Sequence, residues 1–386
     1  MSSELAFVII NPYTIAKSRT GGVIGRFLSR TGLDLVAARL FSPPDELVED
    51  YIKIVRQYMA ADSAAAALLT AYIRKAYGRD PRTGRTRRAM MILLEGENAI
   101  QKVREVTGPL IMGGSESVRD TYGDYVTDDD KKVQYFEPAV LIASTPEETG
   151  ATLRLWARFS ERHGGWVHNA ADVNHDSGWE RTLVLIKPDN FRFPNARPGN
   201  IVDVLSRSGL RIVAAKIHRM SVAEAENFYG PVRSILREKM KKQAAERAKL
   251  TLEAEFEIKL PDALRDSLGE TLGPLVGDEQ FNQIVKFMTG FYPPSCPPED
   301  RAHEGLNKCL ALVYGGINAI SKIRNLLGST DPSKAATGSV RREFGRDIMV
   351  NAAHASDSVE NAEREIGIIK IDEDLISPWV ARYYPG

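Results

Sequence analysis

One histidine, His354, lies in a stretch whose residue types could carry phosphate chemistry. It belongs to the run 351–358, which reads Asn-Ala-Ala-His-Ala-Ser-Asp-Ser. Asp357 is followed three residues later by Glu360, which is the spacing of a capping box, so we predict that a helix begins just after His354. Backbone N–H groups and the helix dipole favour anions at such a start. An imidazole placed there is suited to phosphate.

The elements that must position this histidine belong to a unit that the chain contains twice. Residues 27–39 (Phe-Leu-Ser-Arg-Thr-Gly-Leu-Asp-Leu-Val-Ala-Ala-Arg) recur as residues 204–216 (Val-Leu-Ser-Arg-Ser-Gly-Leu-Arg-Ile-Val-Ala-Ala-Lys). In each copy a strand precedes a helix that ends at a glycine, Gly32 or Gly209, the residue type typical of a left-handed C-cap. A second strand follows at once.

Further helical sequence, a third strand, a short helix, a last strand and a last helix complete each copy. We predict the last strand over residues 138–142 in the first copy and 347–350 in the second. This order predicts an α+β fold of two tandem ferredoxin-like (βαββαβ) domains, with helices packed on antiparallel sheets.

The repeat divides the chain into domains at 1–160 and 180–386, joined by a linker at 161–179. The linker contains His163, His168 and His175 without a carboxylate or cysteine pattern, and we predict a solvated segment rather than a metal site. The second domain holds a charged insertion at about 233–278. We predict a solvated helical hairpin there, broken near Pro261, and a partner contact is the alternative.

Composition limits the classes of function. The 386 residues include 51 Lys and Arg against 51 Asp and Glu, so we expect no broad electrostatic footprint for nucleic acid and no sequence-specific nucleic-acid binding. No apolar run reaches the length of a membrane span, and the N-terminus lacks the basic start of a secretory signal. With only two cysteines, Cys296 and Cys309, a disulfide framework is not expected, and we expect a cytoplasmic protein.

The run 351–358 closely resembles the Asn-x-x-His-Gly-Ser-Asp-Ser active-site signature of nucleoside diphosphate kinases. The resemblance extends over residues 180–386 except the insertion, so the first copy would be a degenerate domain of the same kind. By this resemblance His354, Glu365 and Ser356 are catalytic. It also implies a set of nucleotide-binding residues: Lys187, Tyr229, Arg324, Thr330, Arg341 and Asn351.

The resemblance implies a phosphotransferase that works in two half-reactions. His354 would take the γ-phosphate of a nucleoside triphosphate and pass it to a nucleoside diphosphate, with Lys187, Arg324 and Arg341 stabilising the transferred charge. Mg²⁺ would be held mainly by the nucleotide phosphates, with no direct protein ligand. We also expect a homo-oligomer with domain pairing inside the chain. Two alternatives are a non-enzymatic, nucleotide-responsive scaffold protein and transfer from His354 to a protein.

The second copy departs from the family pattern at several positions. Gln280 stands near the place of the aromatic residue that lies against the base, so stacking is altered or is provided by Phe281. Arg342-Glu343 stands where a Gly-Asp pair is usual, and Ala355 replaces the glycine after the histidine.

The first copy lacks the nucleophile. We predict that Ile142 is the counterpart of His354 and that Asn11 replaces Lys187, while Arg104 and Arg119 take the places of Arg324 and Arg341. The first copy is therefore predicted to be catalytically inactive and architectural. Nucleotide or anion binding without turnover is the alternative.

Overall fold

The computed structural model describes residues 3–111, 116–130 and 132–385. The chain forms two compact units, one made of residues 1–217 and 310–386 and the other of residues 218–309. The first unit contains both copies of the repeated fold, and the second contains a pair of long helices.

The first copy contains the following strands and helices: β1 (Ser3–Ile10), α1 (Pro12–Ala16), α2 (Thr20–Thr31), β2 (Asp34–Phe41), α3 (Asp45–Tyr58), α4 (Ser63–Tyr77), β3 (Ala89–Glu97), α5 (Ala99–Thr107), α6 (Val118–Tyr122), β4 (Asp124–Thr127), β5 (Val133–Glu137), β6 (Val140–Leu141) and α7 (Pro146–His163).

The second copy and the long helices contain these elements: β7 (Trp179–Ile186), α8 (Arg197–Ser206), β8 (Arg211–His218), α9 (Val222–Phe256), α10 (Asp262–Thr289), β9 (Cys309–Ile317), α11 (Ala319–Leu327), α12 (Val340–Phe344), β10 (Ala353–Ala355), α13 (Val359–Ile368) and α14 (Ile376–Tyr383).

Each copy is built around a four-stranded antiparallel sheet. The strand order is β6-β1-β3-β2 in the first copy and β10-β7-β9-β8 in the second. Numbered within its own copy, each sheet has the order 4-1-3-2, in which the last strand lies beside the first. The α+β, ferredoxin-like prediction is confirmed. A further hairpin, β4–β5, was not predicted.

One of the two predicted glycine C-caps is confirmed and the other is wrong, because α8 ends with Arg207 as its C-cap and Gly209, with φ +70°, lies two residues beyond it. Gly32 caps α2 with φ +66°, and Thr145 caps α7 by accepting a hydrogen bond from the N–H of Glu148. The predicted capping box at Asp357 is wrong. Ser358 caps α13 by accepting from the N–H of Asn361, because the chain is still leaving strand β10 at Ala355 and the helix begins later.

The linker is not the solvated segment that we predicted. Val167, Ala170 and Val173 are buried, and the N–H of Val167 donates to the carbonyl of Val213 at 2.8 Å. Arg88 of the first copy donates from Nε to Asp172 at 2.9 Å. The three apolar residues lie three positions apart in a segment that forms neither a helix nor a strand, so their spacing did not indicate an element that would bury them.

The two copies pack through α2 and α8. Gly199 makes the close approach possible, since a Cβ atom there would lie 2.3 Å from the carbonyl oxygen of Gly21. The C-terminal segment adds a second contact. Arg39 of the first copy donates to the carbonyl of Asp372 at 3.0 Å, and Tyr384 donates to the carbonyl of Leu5 at 2.7 Å.

The unit formed by residues 218–309 consists mainly of α9 and α10, with their break just before Asp262, as the proline at 261 predicts. Gly273 and Gly277 of α10 lie against the backbone of Lys241 and Arg237, so the two helices approach closely. Asp278 accepts hydrogen bonds from Arg237 at 2.7 Å. Across the part of the chain that the structure describes, no helix is long and apolar enough to span a membrane.

Candidate active site

His354 lies in the middle of strand β10, at the edge of the second sheet. It pairs with Leu185 of β7. The predicted strand at 347–350 is wrong, because Asp347 Oδ1 accepts from the N–H groups of Met349 (2.9 Å) and Val350 (2.8 Å) and folds that segment into a turn. The strand begins later, at Ala353, and contains the histidine itself.

A carboxylate holds the imidazole. His354 Nε2 lies 3.0 Å from Glu365 Oε2, and Ser356 donates its hydroxyl to the same oxygen at 2.6 Å. Glu365 and Ser356 are buried, while the side chain of His354 is 23% exposed. The structure therefore brings the three predicted catalytic residues together, with the ring reachable from solvent.

Lys187 and Asn351 contact each other next to β10. The N–H of Lys187 donates to the carbonyl of Ala352 at 2.9 Å, which places the lysine two positions from the partner of His354 and on the same face of the sheet. Its ammonium donates to Asn351 Oδ1 at 2.8 Å. Burial, with repulsion from Arg341, lowers the pKa of Lys187 to about 8.

Two arginines line a cavity of about 280 Å³ beside β10, together with Thr330 and Ala355. Arg341 donates to the carbonyl of Gly328 at 3.0 Å and to that of Ala353 at 3.2 Å, so its guanidinium is held over the residue before His354. Arg324 is exposed on the last turn of α11. The cavity wall is cationic, as an anion site requires.

Thr330 contributes its backbone to the same region. Its carbonyl accepts from Asn351 Nδ2 at 3.2 Å, while the carbonyl of Ile348 accepts from the same amide at 2.8 Å. Asn351 thus connects Lys187 to the loop that carries Thr330.

Tyr229 and Gln280 lie in the unit formed by residues 218–309. Tyr229 is buried on α9 with its ring centroid 4.9 Å from that of Phe228. Gln280 donates from Nε2 to Met240 Sδ at 3.0 Å. Phe281 is buried and the Arg233 guanidinium lies over its ring, so the idea that Phe281 provides a surface for the base is wrong. Tyr229 stays a predicted nucleotide contact.

Sequence reasoning missed two residues next to Lys187. Asn190 is buried and donates to the carbonyls of Lys187 (3.1 Å) and Ala352 (2.8 Å), so it fixes the turn that carries the lysine. The Asp189 carboxylate is buried beside them, and this burial raises its pKa, with Lys187 opposing the shift. The signal was available, since Pro-Asp-Asn after a strand is a turn sequence.

The structure corrects the counterpart of His354 in the first copy. Leu141 pairs with Ile9 of β1 as His354 pairs with Leu185 of β7, and the residues at Ala139 and Ala352 share a positive φ, +61° and +69°. Leu141, not Ile142, therefore occupies the nucleophile position. The prediction was displaced by one residue because a two-residue apolar strand offers no pattern to fix its register.

Comparison with known proteins finds similarity in the second copy. The family model for nucleoside diphosphate kinase matches residues 180–242 and 275–374. A nucleoside diphosphate kinase of Chlamydia pneumoniae is 32% identical over 187 residues, which cover 48% of this chain and 88% of that protein. One from Archaeoglobus fulgidus is 30% identical over 198 residues, covering 51% and 91%.

A solved structure is also similar. The crystal structure of the Aquifex aeolicus nucleoside diphosphate kinase is 26% identical and covers 50% of this chain and 94% of that chain, with a TM-score of 0.30. The segment between the two matched ranges, 243–274, falls within the helical pair.

Proposed function

The chain belongs to the nucleoside diphosphate kinase family, and we propose that its second copy transfers the γ-phosphoryl group of a nucleoside triphosphate to a nucleoside diphosphate through His354. The observation that carries this proposal is the imidazole held by Glu365, with Ser356 on the same oxygen, beside a cavity lined by Arg324 and Arg341. The chain is a phosphotransferase, and we propose that its reaction passes through a covalent phosphohistidine at His354.

In the first half-reaction, His354 Nδ1 attacks the γ-phosphorus. A P–N bond forms and the bond from phosphorus to the β–γ bridging oxygen breaks, so a nucleoside diphosphate leaves with the bonding electron pair. In the second half-reaction, a terminal oxygen of another nucleoside diphosphate attacks the same phosphorus and the P–N bond breaks. One site serves both directions, so the kinetics are ping-pong.

Glu365 determines which ring nitrogen reacts. A carboxylate facing Nε2 favours a proton on that atom and leaves the lone pair on Nδ1. When the ring becomes phosphorylated at Nδ1, the same carboxylate stabilises the positive charge that develops on the imidazole. Ser356 keeps the carboxylate in place by donating to it at 2.6 Å.

The cations stabilise the transferred group. Charge spreads over the three equatorial oxygens of the phosphoryl group in the transition state. Lys187, Arg324 and Arg341 supply positive charge around the ring, and donors fixed in advance need no reorganisation during the reaction. Arg341 and Lys187 are already held by backbone and side-chain contacts, while Arg324 is the exposed member of the set.

Mg²⁺ accompanies the nucleotide in this proposal. We assign its ligands to the phosphate oxygens of the nucleotide, because Mg²⁺ is a hard cation that prefers oxygen ligands and is commonly bound through substrate phosphates. When bound with the nucleotide, the ion would neutralise part of the charge of the phosphate oxygens. The protein residues of the site then bind the magnesium complex of the nucleotide.

Location and assembly are further parts of the proposal. Cys296 and Cys309 donate thiol hydrogens to the carbonyls of Pro297 at 3.7 Å and His218 at 3.4 Å, and thiols are the form that cysteine keeps in a reducing compartment such as the cytoplasm. The pairing of α2 with α8 joins the two copies within one chain. We propose that whole chains assemble further into a homo-oligomer, which light scattering tests.

A two-step labelling experiment tests the function. The protein is incubated with ATP labelled at the γ-phosphate and Mg²⁺, freed of nucleotide, and then given GDP. We expect an acid-labile label on the protein and its recovery as labelled GTP. Label that forms but passes only to a protein supports the phosphoprotein alternative, and a folded protein that takes no label supports the scaffold alternative.

A further inference from the structure

We propose that the first copy is closed to nucleotides by its own side chains, so that each chain binds a single nucleotide, beside His354. The inference rests on the proposed function for the place of the phosphate site. It decides between the two roles that the sequence left open for the first copy, architecture alone or nucleotide binding without turnover.

The first step is a reversal of charge at the position of Lys187. Asn11 takes that position, because its N–H donates to the carbonyl of Ala139 at 3.1 Å as the N–H of Lys187 donates to that of Ala352 at 2.9 Å. Asn11 then donates from Nδ2 to Glu137 at 2.9 Å. A neutral amide and a carboxylate therefore stand where the second copy has an ammonium group.

The second step is that this carboxylate is enclosed. Glu137 is 3% exposed. Both of its oxygens accept from the Tyr72 hydroxyl, at 2.8 and 2.7 Å, and one also accepts from the N–H of Ala139 at 3.1 Å. Tyr77 donates to Asn11 Oδ1 at 2.6 Å. Side chains of α4 thus satisfy the polar groups of Glu137 and Asn11.

The third step concerns the retained arginine. Arg119 donates to the carbonyl of Gly108 at 2.8 Å, as Arg341 does to that of Gly328 at 3.0 Å. Arg119 is only 7% exposed, whereas Arg341 lines the open cavity. The first copy has kept the structural contact of this arginine and has buried its side chain.

These steps together exclude a nucleotide. Burial raises the pKa of Glu137, but neither form of this side chain attracts a polyphosphate, because the neutral acid carries no charge and the carboxylate repels it where water is excluded. A polyphosphate would also have to break the hydrogen bonds of Tyr72 and Tyr77, leaving buried polar groups without partners. In the first copy, core side chains occupy the place that corresponds to the nucleotide site of the second copy.

A matched pair of arginines tests the inference. Arg104 and Arg324 are both exposed, and each accepts at its carbonyl the N–H of the glycine that caps its helix, at 3.0 Å, so replacing either with alanine should leave the fold intact. Isothermal titration of the full chain with the magnesium complex of ADP gives the stoichiometry and affinity of the wild type, Arg104→Ala and Arg324→Ala.

We expect a stoichiometry of one, unchanged affinity in Arg104→Ala, and at least about tenfold weaker binding in Arg324→Ala. A stoichiometry of two, or loss of a binding event in Arg104→Ala, would overturn the closed first copy. Amide hydrogen exchange locates the bound nucleotide, and protection of α4 on adding the nucleotide would overturn it as well. The labelling experiment on His354 tests the proposed function separately, because it does not involve the first copy.

Discussion

The Nε2 atom of His354 lies 3.0 Å from Oε2 of Glu365, and the same oxygen accepts the hydroxyl of Ser356. This contact orients the imidazole and assigns its two nitrogens to different tasks. Nε2 is engaged by the carboxylate, and Nδ1 is the nucleophile in the proposed reaction. The relationship makes the role of Glu365 testable separately from that of the histidine.

Replacing Glu365 with glutamine should lower kcat by roughly 10- to 100-fold, the usual effect of removing a residue that orients a histidine. An amide still fills the space but stabilises the charged ring less well. Glu363→Gln is the matched control, since Glu363 lies on the same helix and pairs with Arg181 instead. Single-turnover phosphorylation measures the effect, and equal rates in the two variants would contradict the assigned role.

The activity should fall at alkaline pH, because Lys187 loses its proton there. Its pKa is lowered to about 8 in the folded protein, so the ammonium is charged at pH 7 and loses its proton as the pH rises through 8. Because the neutral amine no longer attracts phosphate, kcat/KM should fall about tenfold for each pH unit well above 8.

A profile of kcat/KM from pH 6.5 to 10 checks this. Lys187→Arg should not show this fall in activity, because a guanidinium stays charged over this range, even if its maximal rate is lower. A wild-type profile that is flat to pH 10 would show that Lys187 does not determine the charge of the site.

The close contact of α2 with α8 predicts a stability effect. A Cβ atom at Gly199 would lie 2.3 Å from the backbone of Gly21, so Gly199→Val should lower the free energy of unfolding by roughly 1–3 kcal/mol, as overpacking does. Gly367→Ala is the control, since nothing lies within 4 Å of that added atom. Thermal denaturation measures both, and equal melting temperatures would argue against tight packing of the copies.

Much of the fold could be predicted because it depends on local signals. The repeat around Gly32 and Gly209 indicated the duplication, and apolar strands between helices indicated the order of strands and helices along the chain. The C-cap of α2 at Gly32 was also readable, because a glycine after a helical segment marks its end.

The features that could not be predicted depend on contacts between residues that are far apart in the chain. The register that pairs Leu141 with Ile9 is set by a strand of two residues, β6, too short for any period to appear. The C-terminal segment reaches the first copy through Arg39 and Tyr384, and no local pattern indicates such a contact. The closure around Glu137 likewise needs residues from α4, β5 and the end of β1 together.

The most direct test of the account is to find the phosphorylated atom. The wild type, His354→Ala and His303→Ala are treated with ATP and Mg²⁺, and the phosphopeptides are mapped under alkaline conditions by mass spectrometry. His303 is an exposed histidine, 73% accessible, and serves as the control. We predict one phosphohistidine, at His354, in the wild type and His303→Ala, with a loss of transfer of at least about 10⁴-fold in His354→Ala. Phosphate on another residue, or transfer that survives in His354→Ala, would contradict the account.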